Sequence, residues 1–165
     1  MKKILLLLFV AFFFSSCEKD DICSEDTTPR LIIEFYDIAN PANTKNVSSL
    51  KVTGVGQSVP LKTYSGVSKI ELPLNITTTS TKYSLITNSS ISSLIPNEDF
   101  LEFNYVHQNI YVSRACGYKT TFDLNTTDGV LLTDAASPDL LWIQDINIRT
   151  TNIDNENETH IKIYF

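Results

Sequence analysis

Leu101-Glu102-Phe103-Asn104-Tyr105, continuing through His107-Gln108-Asn109 into Ile110-Tyr111-Val112, is the stretch that decides the fold class of this chain. Leu101, Phe103 and Tyr105 alternate with polar neighbours. A period of two puts them on one face of a strand, whereas a helix face needs spacings of three and four. The polar triplet at 107–109 predicts a hairpin turn between two strands. Downstream, Tyr118, Thr120, Phe122 and Leu124 repeat the alternation, and Asp128-Gly129, a dipeptide suited to tight turns, precedes Val130-Leu131-Leu132. Antiparallel strands follow from this reading.

The pattern extends in both directions. Upstream, Leu31/Ile33/Phe35, Leu50/Val52, Ile70/Leu72/Leu74 and Tyr83/Leu85 occupy alternate positions, punctuated by Asn40-Pro41, Gly54 and Gly56, Gly66, and Asn88-Ser89-Ser90. Towards the C-terminus, Leu140-Leu141-Trp142-Ile143 follows Pro138 and Asp139 and reads as either a short helical turn or the start of a strand. Ile146 and Ile148 resume the alternation, Asn152 to Glu158 makes a polar turn, and Ile161, Ile163 and Phe165 share one face of a closing strand. The expected fold is all-β with little helix, an antiparallel Ig-like sandwich or an open barrel of about eight to ten short strands.

The chain ahead of the first strand has a different character. Lys2 and Lys3 precede an apolar run of eleven residues, Ile4 to Phe14, and Ser15-Ser16 lead into Cys17. That run is too short for a hydrocarbon core that takes about 20 residues, and small residues before a cysteine mark a lipoprotein cleavage site. The expected organisation is a signal peptide over 1–16, a lipidated polar tether over 17–29 beginning at Cys17, and a single β domain over 30–165. One domain suits this length.

Removing the signal peptide takes away Lys2 and Lys3 and no acid, leaving 11 bases against 19 acids, a net charge of −8. The remaining Lys and Arg are scattered singly. An acidic chain without a basic face is not built for phosphate backbones, so nucleic acid is excluded as a partner. With Cys17 carrying lipid, Cys23 and Cys116 remain, and an even pair in an oxidising compartment predicts a disulfide between them.

Few residues offer chemistry. Arg114-Ala115-Cys116-Gly117-Tyr118-Lys119 sets a thiol between two cations, which would favour a thiolate nucleophile with His107 or His160 as base if Cys116 were free. Glu156 and Glu158 near His160 offer a weak acid/base or metal site, but a zinc site wants three or four closely spaced ligands. Asp154-Asn155-Glu156-Asn157-Glu158 alternates oxygens without the twelve-residue calcium loop pattern. No phosphate-binding loop, nucleophile elbow, dinucleotide fingerprint or HExxH motif is present, so no catalytic residue, metal or cofactor is assigned. Tyr36, Tyr64, Tyr105, Tyr111, Tyr118 and Trp142 would form a sugar- or peptide-binding platform only if several faced outward together; strand packing is the commoner use. Asn75-Ile76-Thr77 and Asn125-Thr126-Thr127 match the N-glycosylation pattern formally, without the secretory context that would use it.

Two sets of residues carry a resemblance. Cys17-Glu18-Lys19-Asp20-Asp21 resembles the export signal of Bacteroidota surface lipoproteins, which implies roles for Lys19, Asp20 and Asp21 in sending the protein to the outer leaflet of the outer membrane. With Ile22-Cys23, Thr28-Pro29-Arg30-Leu31, Val112 to Lys119 and the ending His160-Ile161-Lys162-Ile163-Tyr164, the chain resembles small flavobacterial surface lipoproteins of unknown function. Asp26-Thr27-Thr28 is also similar to a short O-glycosylation sequon of such bacteria. The resemblance implies an outer-membrane lipoprotein exposed at the cell surface, or alternatively one facing the periplasm. It implies no activity. The expected role is a non-enzymatic structural module or one binding an envelope protein or glycan, held to the membrane by lipid, with an extracytoplasmic hydrolase using Cys116 or a His/Glu metal site as the alternative.

Overall fold

The computed structural model describes residues 22–25, 27–138 and 140–165. Cys17, Lys19, Asp20 and Asp21, the signal peptide and Asp26 therefore lie outside the described residues. Eleven strands and no helix make up the described part: β1 (Leu31–Tyr36), β2 (Val47–Gly54), β3 (Lys62–Val67), β4 (Lys69–Leu72), β5 (Ser80–Thr87), β6 (Asn97–Ser113), β7 (Gly117–Leu124), β8 (Val130–Asp134), β9 (Asp145–Ile148), β10 (Asn152–Ile153) and β11 (Ile161–Tyr164). They form two sheets that do not close into a barrel, in keeping with a β-sandwich.

The smaller sheet runs β4-β1-β11-β9, and the larger runs β10-β7-β6-β5-β2-β3 with β8 also against β6. Alternation explains the layers. Leu31, Ile33, Phe35, Ile161 and Ile163 of the small sheet are buried with Leu50, Val52, Leu85, Leu101, Phe103 and Tyr105 of the large one, forming one continuous core. One pairing departs from the antiparallel expectation. The first and last strands lie side by side in parallel, with Ile33 opposite Ile161 and Phe35 opposite Ile163. A parallel pair needs a crossover, and here everything between the two strands supplies it.

Three turn assignments change. The hairpin expected at His107-Gln108-Asn109 is absent, because β6 runs unbroken through those residues, with His107 opposite Phe122 and Asn109 opposite Thr120. Its first half sits between β5 and β8. From Tyr105 onward it pairs with β7 alone; Tyr105, Phe122 and Leu124 still belong to the core, and past His107 the β6 side chains are largely exposed as the two strands run on as a ribbon. The alternation fades there because no second sheet covers it. The hairpin turn lies instead between Ser113 and Gly117, where Gly117 takes φ of 70° and the Cys116 N–H donates to Ser113 Oγ (3.1 Å).

Asp128-Gly129 does not join a hairpin either. β7 and β8 both run antiparallel to β6 along its same edge, so residues 125–129 are a jog between two collinear segments. Asn104 holds the jog, donating its N–H to the Gly129 carbonyl (3.0 Å) and accepting from the Asn125 N–H (3.0 Å). A Cβ at position 129 would run into the Asn125 carbonyl, which is why glycine is needed.

The Leu140 to Ile143 segment is neither helical nor a strand. Its backbone is pinned by the Ile143 N–H donating to the buried Asp99 Oδ2 (2.8 Å) and by Trp142 Nε1 donating to the Leu85 carbonyl (3.1 Å). Buried polar groups fix the path there more than propensity does.

Candidate functional site

The best-defined feature outside the core is where the N-terminal segment meets the β6–β7 ribbon. The hairpin turn at the ribbon end carries Cys116, which is joined by a disulfide to Cys23 across a sequence separation of 93, with α-carbons 4.8 Å apart. Five residues on, Thr28 Oγ1 accepts the Thr120 N–H (2.9 Å), satisfying a backbone donor on the outer edge of β7. Thr120 Oγ1 in turn donates to Asn109 Oδ1 across the ribbon (2.7 Å). Pro29 is buried. Attachment to the domain thus begins before β1, within the segment expected to act as a tether.

Arg30 completes the attachment. Its N–H and Nε both donate to Glu156 Oε1 (2.8 Å each), Nη2 reaches Glu156 Oε2 at 2.6 Å, and Nη1 pairs with Glu71 Oε2 at 2.6 Å. The two-pronged contact raises the guanidinium pKa and lowers that of Glu156, in both cases chiefly through their shared hydrogen bonds. The acidic turn at 154–158 is therefore a fastening. Asp154 and Asn155 of the same turn are engaged locally, Asp154 accepting from Asn152 Nδ2 (2.9 Å) and Asn155 Nδ2 (2.6 Å), and Asn155 Oδ1 accepting the Asn157 N–H (2.8 Å). Among the described residues no group of three or more His, Cys, Asp or Glu is placed to hold a metal ion.

The catalytic alternative fares badly for a physical reason. Cys116 is spent in the bridge and offers no thiolate. His107 faces Phe122 across the ladder, about six positions from Cys116, or roughly 20 Å at strand rise. Its ring packs between Tyr105 and Phe122, with centroids 6.4 Å from each. His160 is fully buried, and its Nδ1 accepts the Ile32 N–H (2.9 Å), a bond that requires the neutral ring. Burial lowers its pKa, partly countered by Glu158, the Asn155 backbone, Asp154 and Glu156. Among the described residues, Nε2 has no partner in good hydrogen-bonding geometry. Neither histidine meets a nucleophile.

The six aromatics do not form a common platform. Tyr105 is core, Tyr36 packs on Tyr164 with centroids 5.6 Å apart beneath Lys162, and Trp142 packs on Phe35 and Phe165. Tyr64 lines an open cleft of about 530 Å³ with Arg30, Lys62, Lys69 and Glu71. Only Tyr111 and Tyr118 stand together in solvent, directly opposite one another near the ribbon end, rings edge to face at 5.4 Å.

Residues 49–165 match the Family of unknown function (DUF6452), from within β2 to the last residue. The chain belongs to this family. No curated protein and no solved structure matches it. The DUF6452 span takes in Cys116, Glu156 and His160, while Cys23, Thr28 and Arg30 precede it. Sequence reasoning gave Arg30 and Glu71 no part in an attachment, and Thr28 only a place in the sequon-like Asp26-Thr27-Thr28. Arg30 and Glu156 are 126 residues apart, and no local spacing signals such a pair.

Proposed function

We propose that this DUF6452 protein is a lipid-anchored module of the cell envelope, non-enzymatic, serving in envelope structure or in binding a protein or glycan. Lipid on Cys17 supplies the anchor, and Lys19, Asp20 and Asp21 direct the protein to the outer leaflet of the outer membrane; the periplasmic leaflet is the alternative address. The observation that carries the reading is the attachment of the N-terminal segment at Cys23, Thr28, Pro29 and Arg30. A domain that fastens the residues just after a lipid-bearing cysteine is suited to sitting at a membrane, and its two histidines and Cys116 are committed to structure. The test compares wild type with Cys17→Ser. Wild type is expected in the outer-membrane fraction, digestible by protease added to intact cells, and Cys17→Ser is expected outside that fraction or as uncleaved precursor. Unchanged lipid labelling of Cys17→Ser would refute the anchor, and protection of wild type in intact cells would move it to the periplasmic leaflet.

A further inference from the structure

We propose that the end of the β6–β7 ribbon, centred on Tyr111 and Tyr118, is a contact site for a phospholipid surface. The inference rests on the lipid anchor proposed above. It follows from how little chain separates that anchor from the ribbon. Cys17 and Cys23 are six residues apart, a reach of about 20 Å at full extension, and Cys23 is bonded to Cys116 in the ribbon turn. Tyr118 is two residues beyond Cys116, and Tyr111 is its cross-strand partner. Of everything in the folded domain, this turn is what the leash holds nearest the bilayer.

The side chains presented there fit an interface that is apolar on one side and wet on the other. Tyr118 is 69% exposed, Tyr111 54% and Ile110 37%. Tyrosine at this exposure is poorly used in bulk water, while its amphipathic ring suits the headgroup level of a bilayer. The charge pattern agrees. From Phe103 to Phe122 the chain holds no acid to repel an anionic surface, and its charges are Arg114 and Lys119, which are able to meet lipid phosphates. Free affinity need not be high, because a six-residue link makes the encounter intramolecular at an effective concentration in about the millimolar range or above.

The ribbon also has the mechanics for this. Beyond Thr120, where Thr28 covers the outer edge of β7, the two strands pair only with each other and no second sheet shields their faces. The β6–β7 ladder sets the two rings opposite one another at the tip, and the cross-link ties that tip to the N-terminal segment. Contact there would orient the whole domain, since β6 runs from the tip into the large sheet without a break.

The experiment uses the lipidated full chain in phosphatidylcholine vesicles, with and without brominated acyl chains. Trp142 is the single tryptophan, and it bonds to Leu85 opposite Asp99, about 45 Å along β6 from Ser113 at strand rise, so wild-type emission is expected to be unquenched. Tyr111→Trp, and separately Tyr118→Trp, are expected to add emission that the bromolipid removes. Vesicle flotation in the same samples reports the anchor independently. Flotation with unquenched added emission overturns the tip contact and leaves the anchor standing. Failure of wild type to float overturns both. A concentration-dependent blue shift of the added emission without vesicles assigns the tip to a second copy of the chain and overturns the lipid contact.

Discussion

Removing the bridge with Cys23→Ser/Cys116→Ser should destabilise the domain by about 2 kcal/mol, well below what the closed loop alone suggests. With the cysteines 93 positions apart, loop-closure entropy withheld from the unfolded chain amounts to about 4.6 kcal/mol at 25 °C. The folded state returns part of this. Cys23, Ser24, Glu25 and Thr27 are exposed, and the next firm attachments are Thr28 on Thr120 and the buried Pro29. Without the bridge the five positions 23–27 are freed, and recovering about half of a minimal 1 kcal/mol each gives back roughly 2.5 kcal/mol. The assay is urea unfolding of the soluble mature domain, oxidised wild type against the double serine variant, with thiols titrated first. Freely alkylated thiols in unreduced wild type would refute the bridge. A loss near the full 4.6 kcal/mol would refute the fraying argument, showing that residues 23–27 stay docked unaided.

Three further outcomes follow from the attachment and from the buried histidine. Arg30→Ala should cost about 0.5–1 kcal/mol, no more, because both its partners are a third or more exposed, and the cost measured by urea unfolding should shrink with added salt. Thr28→Val keeps the shape but removes the acceptor for the Thr120 N–H, so a loss of about 1 kcal/mol and faster amide exchange at Thr120 are expected; unchanged exchange would remove Thr28 from the attachment. His160 has its pKa lowered from 6.5 by burial, so below pH 6.5 the unfolded chain takes up the proton first and folding stability should fall with pH. Glu156, lowered from 4.5 mainly by Arg30, adds a second loss only as pH falls below about 4.5. Comparing wild type with His160→Gln by urea midpoints across pH 7 to 5 separates them, and parallel curves would show that His160 does not titrate the fold.

What was legible in the sequence is what the sandwich imposes. Leu31/Ile33/Phe35 and Leu101/Phe103/Tyr105 alternate because each strand has one face on a shared core, and that constraint writes a period of two. Where the constraint is missing, the pattern misleads. β3 shows no apolar alternation, being partly or fully exposed along its length, so nothing in its sequence marks it as a strand. Residues 107–109 look like a turn because they lie on a ribbon clear of the opposing sheet, where polarity has no bearing on whether the chain continues. The Asp128-Gly129 dipeptide has true turn chemistry, but a five-residue jog and a hairpin both use it, and only the partner strand tells them apart. Periodicity fixes which side chains face inward and says nothing of which strands pair, so the parallel contact of β1 with β11 had no local signature.

The same distinction governs the attachment site. Cys23 and Cys116 stand out because two cysteines remain once Cys17 is set aside, an argument from composition that needs no geometry. Arg30 with Glu156 and Glu71 depends entirely on geometry. Their positions carry common surface residue types, and they meet because β1 lies between β4, which brings Glu71, and β11, which follows the 154–158 turn. The parallel β1–β11 pair therefore places the start of the first strand beside the turn that precedes the last. Any device that fastens the N-terminal segment to this domain has that turn within reach, which makes the acidic run at 154–158 intelligible as a clasp for Arg30.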